Sequence, residues 1–161
     1  MAWQNEMVII LRHLINDLGT PLYDSPRLEE TILVAAHLIQ NEIDFDNTYT
    51  IDVGAATLSP DPTTLTIKDT AFISLTCLKA MSLIAEAEAK TYTLTGMVVK
   101  DGPSSIDMGN VYKGMVERAK EAHKRYEQAK IQYQAGNSRA GEAVLGPYTD
   151  ESVDVYEGHF V

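Results

Sequence analysis

The chain is poor in cysteine and in basic residues, and each shortage weighs against a class of protein. Its single cysteine, Cys77, has no partner for a disulfide, as expected of a protein that folds in a reducing cytoplasm. Its 13 Lys and Arg stand against 23 Asp and Glu, which gives a formal charge of −10. Groove-reading of nucleic acid and docking on anionic lipid both need clustered Lys and Arg, so we expect neither.

The sequence also has little that would direct it to a membrane. We expect no membrane span, because no apolar run approaches the roughly 20 residues that a spanning helix needs. The first residues, Met1–Glu6, lack the basic start of a signal peptide. We therefore expect a soluble protein that is not exported by that route. Its 161 residues, 45% of them apolar, suffice for one domain with a core.

Familiar catalytic and metal-binding motifs are missing as well. The histidines are far apart and form no His-Glu-x-x-His or Cys/His set: His13, His37, His123 and His159. There is no Gly-x-x-x-x-Gly-Lys phosphate loop and no Gly-x-Ser-x-Gly elbow. Oxygen-bearing residues alternate from Asp44 to Asp52 as in a calcium loop, but Tyr49 and Ala55 stand where that loop needs Gly and Glu. We predict no metal, cofactor or catalytic site, which leaves catalysis only to residues brought together by folding.

The sequence begins with two helix-like apolar segments, which run from about Trp3 to Leu18 and from Pro26 to Ile43. The connector between them contains residues that typically end one helix and begin the next. Gly19 is suited to the left-handed backbone past a helix end, Ser25 to an N-cap and Pro26 to the first helical turn. The second segment has apolar residues at three- and four-residue spacing: Leu28, Ile32, Ala35, Ala36, Ile39 and Ile43. The pattern predicts two helices that meet at a defined corner.

Two further helices are predicted, with shorter elements between them. Alternating residues from Asn47 to Lys68 predict strand-like pieces and turns, including Leu65 and Ile67. The segment from Asp69 to Lys90 is apolar almost all round, which is typical of a central, buried helix. Leu94 to Ile106 contains an Asp-Gly reversal and predicts a small hairpin or an exposed loop. A last helix, from about Asn110 to Gln134, has a nearly heptad stripe, for which core packing is the first interpretation: Val111, Met115, Ala119, Ala122, Tyr126, Ala129 and Tyr133.

The composition changes after Gly136 to Gly, Ser, Glu and Asp, with apolar residues spread among the acids. No repeated pattern could bury these apolar residues locally, so we expect an extended arm that becomes ordered on a partner. The predicted fold class is mainly α: a bundle of about four helices with a small β-hairpin or protruding loop. We divide the chain into a helical domain, residues 1–136, and a C-terminal arm, residues 137–161.

The order of these elements resembles the head–tail connector proteins of tailed bacteriophages, also called adaptor or head-completion proteins. The resemblance covers the chain to about Asn137. It rests on the corner at Pro21–Asp24, the pair Ala35-Ala36, the Ser-Pro-Asp-Pro segment and the Lys-Asp-Gly-Pro-Ser-Ser loop. It implies a structural protein without enzymatic activity. Copies of such proteins assemble, usually twelve together, into a ring beneath the portal that extends the DNA channel toward the tail.

The resemblance also implies partners: the portal, further copies of the chain as a ring, usually a dodecamer, and a tail-side neck or tail protein. It places the protein at the head–tail junction of the virion, after assembly in the host cytoplasm. DNA would pass through an acidic channel without specific binding, and no membrane partner is expected.

Two segments are the candidates for partner binding. The polar loop of Lys100, Asp101, Gly102 and Pro103 is suited to project from the bundle toward a neighbouring copy or the DNA channel, although an idle surface turn is nearly as good an interpretation. The connector family grips the portal with C-terminal segments. Residues 140–161 occupy the matching place here. Within them, the apolar residues that could fill pockets on a partner are the candidates: Tyr148, Val153, Val155, Tyr156, Phe160 and Val161.

Two other interpretations stand beside the ring protein. Residues 3–43 could be read as a DNA-binding helix-turn-helix, but the connector exceeds the usual turn of about three or four residues, and Glu29 and Glu30 would face phosphates. We rank that hypothesis well below assembly. The second alternative is a small soluble helical regulator or accessory subunit that acts as a monomer or dimer. Co-assembly with the portal would separate it from the ring protein.

Overall fold

The computed structural model describes residues 2–96 and 108–137, which form a mainly helical bundle. The elements follow in the order α1 (Ala2–Ile15), α2 (Ser25–Gln40), β1 (Thr50–Asp52), β2 (Thr57–Ser59), α3 (Thr70–Gly96) and α4 (Met108–Asn137). The predicted fold class, a bundle of about four helices with a small hairpin, is confirmed. The predicted arm lies outside the described residues apart from its first residue.

Helix α3 is the centre of the bundle, because it packs against α1, α2 and α4. Phe72, Ile73 and Leu75 are all buried, although they point in three different directions around the helix axis. The prediction of a buried central helix is therefore confirmed. The helix runs beyond Lys90 to Gly96.

Helix α3 corrects one premise of our sequence analysis, namely that no apolar run is long enough to span a membrane. Its stretch Thr70–Tyr92 is long and apolar enough to cross a membrane by length and composition. However, 56% of its most apolar window is buried inside the protein. A helix surrounded by three neighbours needs apolar side chains all round, so its place in the bundle accounts for its composition.

The β-hairpin lies between α2 and α3. Strands β1 and β2 pair antiparallel with Ile51 opposite Leu58, and the Leu58 side chain is buried. Leu65 and Ile67, which we expected in a strand-like piece, lie in turns and bends instead, with Ile67 84% exposed. Leu94, predicted to open the small hairpin or loop of residues 94–106, continues α3, since no helix breaker precedes Gly96. Residues 97–107 of that predicted hairpin or loop lie outside the described residues.

The end of α1 differs from the prediction. Asn16, and not Gly19, adopts the left-handed backbone, with φ of 60°. The N–H of Asn16 donates to the His13 carbonyl at 3.2 Å and that of Asp17 to the Arg12 carbonyl at 2.9 Å, which is the Schellman pattern of a helix end. Asparagine tolerates this conformation better than most residues, so the helix stops before the connector reaches glycine.

The start of α2 is one residue earlier than predicted. Asp24, not Ser25, is the N-cap residue, while Pro26 lies in the first turn as expected. The apolar face predicted for this helix is buried throughout: Leu28, Ile32, Ala35, Ala36, Ile39 and Ile43. Ile43 lies beyond the helix end, which comes at Gln40.

Helix α4 turns most of its predicted stripe toward the core. The buried members are Ala119, Ala122 and Tyr126, and the partly buried ones are Met115, Ala129 and Tyr133. Val111 departs from the prediction, because it is 44% exposed. Core packing is therefore the correct interpretation for six of the seven positions.

One carboxylate, that of Glu42, ties the end of α2 to α3 and α4. Its oxygens accept hydrogen bonds from Lys79 Nζ at 2.8 Å, Tyr126 Oη at 2.6 Å and Lys130 Nζ at 3.2 Å. Partial burial alone would raise the pKa of Glu42, but these three donors outweigh it and lower the pKa from 4.5 to about 2. The ammonium groups of Lys79 and Lys130 also lie 4.5 and 5.6 Å from the centre of the buried Tyr126 ring.

We expect Asn16→Val to lower the free energy of unfolding by about 1–2 kcal/mol, because a branched side chain is strained in the left-handed backbone. Gly19→Ala is the matched control. Gly19 has open space around its Cα position and does not need a left-handed backbone, so this change should be neutral or slightly stabilising. Chemical denaturation of both variants measures the difference. A larger loss for Gly19→Ala than for Asn16→Val would contradict the assignment of the helix end.

We expect the Glu42 contacts to make the protein acid-sensitive. The folded-state pKa lies below the unfolded value, so the stabilisation is complete above about pH 4.5 and is lost as the pH falls toward 2. Glu42→Gln should destabilise the protein at neutral pH and should flatten the dependence of its unfolding free energy on pH in this window. Denaturation midpoints at several pH values test this. Parallel pH profiles for the two proteins would contradict it.

Candidate interaction surface

The predicted partner-binding residues fall outside the described part of the chain. The loop Lys100, Asp101, Gly102 and Pro103 belongs to the segment between α3 and α4. The arm residues follow α4: Tyr148, Val153, Val155, Tyr156, Phe160 and Val161. Within the described residues, the strongest candidate for an interaction surface is the connector between α1 and α2 with the groove beside it.

An ion pair holds this connector in one shape. Arg12 Nη1 lies 2.5 Å from Asp17 Oδ2, with the two side chains only 18% and 5% exposed. Arg12 Nη2 donates to the Tyr23 carbonyl at 3.0 Å and to Ser25 Oγ at 3.2 Å. Asp17 Oδ1 accepts the Leu22 N–H at 2.7 Å. The guanidinium of α1 thus contacts the far end of the connector and the first residue of α2.

The connector is also joined to α3 and α4. Tyr23 Oη donates to Glu88 Oε1 at 2.5 Å, and Arg118 Nη1 lies 3.5 Å from Glu88 Oε2. Arg118 Nη2 donates to the Ile15 carbonyl at the end of α1, at 3.0 Å. Burial, followed by the hydrogen bond to Glu88, raises the pKa of Tyr23 to about 12. The phenol therefore remains a neutral donor at physiological pH.

The connector, whose backbone is held by these contacts, exposes two large apolar side chains. Leu18 is 56% exposed and Leu22 is 79% exposed. The hydrogen bond from the Leu22 N–H to Asp17 holds its backbone in place, so the side chain stays on the surface. Apolar side chains displayed on a rigid segment next to a groove are typical of surfaces that bind another protein.

Leu22 lines two adjacent clefts. The first, of about 570 Å³, lies between the end of α1, α3 and α4 and is bordered by Arg118 and Arg125. The second, of about 830 Å³, lies between α2, α3 and the first turns of α4, and its apolar lining includes Val34, Leu83, Ala87, Tyr92 and Met115. The two clefts are adjacent, because five residues line both of them: Leu22, Tyr23, Ile84, Glu88 and Arg118. We call the two clefts together the connector groove.

Two apolar residues at positions where polar ones are expected could have indicated this groove from the sequence, although helical periodicity did not identify them. Val34 lies on α2 outside the predicted buried face and is 39% exposed, and Leu22 is an apolar residue inside a connector. Both break the pattern of polar residues on the outer surface. Arg12 and Asp17 carried no comparable signal, since an ion pair five residues apart across a helix end has no periodicity.

The described cysteine and histidines differ in their surroundings. Cys77 is buried as predicted, and loss of solvation raises the pKa of its thiol to about 12. Among residues 2–96 and 108–137, no group of three or more His, Cys, Asp or Glu could hold a metal ion. His37 and His123 are exposed, and a ring nitrogen of His13 lies 2.9 Å from the Ile9 carbonyl.

Comparisons with known proteins returned no match to a family model, a curated protein or a solved structure.

We expect Asp17→Ala to lower the free energy of unfolding by about 2–3 kcal/mol, because Arg12 and the Leu22 N–H would lose a charged acceptor in a site with little access to water. The control is Asp24→Ala, which removes an exposed carboxylate whose side chain makes no capping bond. That change should cost less than about 0.5 kcal/mol. Chemical denaturation compares them. Equal losses would show that the ion pair does not hold the connector.

Proposed function

We propose that this chain is a structural protein of the virion neck in a tailed bacteriophage. As a head–tail adaptor, its copies form a ring beneath the portal, extend the DNA channel and dock the tail or the next neck protein. The proposal has its origin in the order of elements and short motifs that resemble the connector family. It describes a protein that acts through assembly and not through catalysis.

The observation that best supports this proposal is the connector surface. A leucine 79% exposed on a segment held by an ion pair gains nothing for the isolated protein, whereas burial against a partner would contribute about 1.5–3 kcal/mol. A ring of identical subunits also needs two different surfaces per copy, which bind each other head to tail. The connector with Leu18 and Leu22 is one such surface.

The charge of the chain is consistent with a channel function. A formal charge of −10 per copy would make a ring strongly acidic. An acidic wall binds no phosphates, so DNA would slide past it, whereas a basic wall would hold DNA by counterion release.

We expect this protein to lie between portal and tail in purified particles, where cryo-electron microscopy can locate it. Leu22→Asp should reduce its incorporation into portal-bearing heads by about tenfold or more, since that factor corresponds to the burial of a single leucine. Ile67→Asp is the matched control, because Ile67 is 84% exposed on the loop before α3 and does not line the groove.

Two outcomes would count against the proposal, and they are distinct. Particles that lack the wild-type protein would refute the neck function and would favour the monomeric or dimeric regulator. Normal incorporation of Leu22→Asp, with the wild-type protein present in the neck, would refute only the assignment of the connector surface.

A further inference from the structure

The outer face of α4 carries a line of three lysines. Lys113, Lys120 and Lys124 are exposed and form no ion pair with any described residue. At about 100° and 1.5 Å per residue, they fall within about 40° of one another around the helix axis and cover about 17 Å along it. Buried residues of α4 such as Ala122 lie on the opposite side. We call these three residues the lysine stripe.

The lysine stripe is an exception in an acidic chain. Helix α4 contains six Lys or Arg and three Asp or Glu, a net charge of +3 in a chain of formal charge −10. By the same count α1 and α3 are neutral and α2 is negative. Arg118 and Arg125 are paired with Glu88 and Glu121, whereas the stripe has only Glu117 beside it. The stripe is therefore a surface that attracts acidic groups.

The acidic groups with the least compensation lie between α2 and β1. Residues 28–67 contain seven Asp or Glu and no Lys or Arg. Glu29 and Glu30 follow Arg27 closely in the sequence, so part of their charge is offset. Three others already accept hydrogen bonds within the fold: Glu42, Asp52 and Asp61. Asp44 and Asp46 remain, and both are exposed and form no ion pair with any described residue.

The segment that carries these two aspartates is held in place. Phe45, between them, packs against the core, with its ring centre 5.2 Å from that of Phe72 and 5.4 Å from that of Tyr133. Asn47 Nδ2 donates to Asp69 Oδ2 at 2.9 Å. The two carboxylates are therefore presented to solvent by a fixed backbone. We call residues 44–47 the acidic loop.

The lysine stripe and the acidic loop of one copy do not meet. Phe45 contacts Tyr133 on the side of α4 that faces the core, and the stripe lies on the opposite side. Lys124, the nearest member of the stripe, is also about 14 Å from Tyr133 along the helix axis. Because α4 itself lies between the two surfaces, each is available only to another molecule.

We propose that the lysine stripe of one copy binds the acidic loop of a second copy of this chain, so that copies join head to tail. A contact between two different surfaces closes into a ring when the rotation between copies permits it. The inference deepens the ring proposed above and rests on it only for the assembly of copies. The stripe and the loop select the partner and its orientation, whereas Leu18 and Leu22 contribute apolar burial.

Charge reversal tests this contact with the full chain in solution. Lys120→Glu with Lys124→Glu gives a stripe variant that repels the acidic loop, and Asp44→Lys with Asp46→Lys gives a loop variant that repels the stripe. We expect each variant alone to self-associate at least about tenfold more weakly than the wild type. An equal mixture of the two should recover the wild-type association, because each altered surface then meets one of opposite charge.

Sedimentation equilibrium at about 0.1 M salt measures the association. The Debye length is then about 10 Å, so charges in contact still attract while the net charges of two copies, whose centres lie further apart, are largely screened. At 1 M salt the Debye length falls to about 3 Å, and we expect the association of the wild type to weaken.

Each variant has a control with the same net charge. Lys68→Glu with Lys90→Glu replaces exposed lysines outside the stripe and matches the stripe variant. Glu29→Lys with Glu30→Lys alters the first turn of α2 and matches the loop variant. Both controls keep the stripe and the acidic loop, so both should associate as the wild type does. Circular dichroism checks that all four proteins are folded.

Three results would overturn the proposal: no self-association of the wild type up to millimolar concentration, equal weakening in the controls, or a mixture that fails to recover. The first would leave the stripe without a partner in this chain, and the second would assign the effect to net charge. Failure of the neck function is a separate outcome. Particles without the protein, together with recovery in the mixture, would refute that function and leave the contact between copies in place.

Discussion

Helix α3 has apolar side chains around most of its circumference, and the rest of the bundle follows from the need to bury them. No single neighbour can cover such a helix, so α1, α2 and α4 all pack against it. The polar contacts that hold these neighbours in place lie at the edges of the core. Glu42 joins the end of α2 to Lys79 of α3 and to Tyr126 and Lys130 of α4.

The connector surface depends on this arrangement and on a second set of polar contacts. Arg12 and Asp17 hold the connector from the side of α1, and Arg118 of α4 reaches both the last carbonyl of α1 and Glu88 of α3. These contacts give the connector a fixed shape while Leu22 stays on the surface. The groove lies beside the connector, where residues of α2, α3 and the first turns of α4 line one depression.

Periodicity predicted the elements that are set by local pattern. The three- and four-residue spacing on α2 identified a face that is buried throughout, and the same holds for the middle of the α4 stripe, where Ala119, Ala122 and Tyr126 are buried. The prediction of where α1 ends was wrong, because two nearby residues can each end a helix. Asn16 and Gly19 can both end a helix, and the first one in the chain was used. The hairpin at residues 50–59 lies within the segment for which alternation predicted strand-like pieces, and β1 also contacts α2.

The sequence by itself determined that the protein is a helical bundle, which helix is central and which faces are buried. These properties depend on residue type and on spacing within one element, so they can be read without coordinates. Only the tertiary structure decided the connector surface. Its shape depends on Arg12, Glu88 and Arg118, which are about 30 to 106 residues apart and meet only when α1, α3 and α4 pack together. Leu22 is a surface residue because those contacts hold its backbone. No local sequence pattern predicts these contacts.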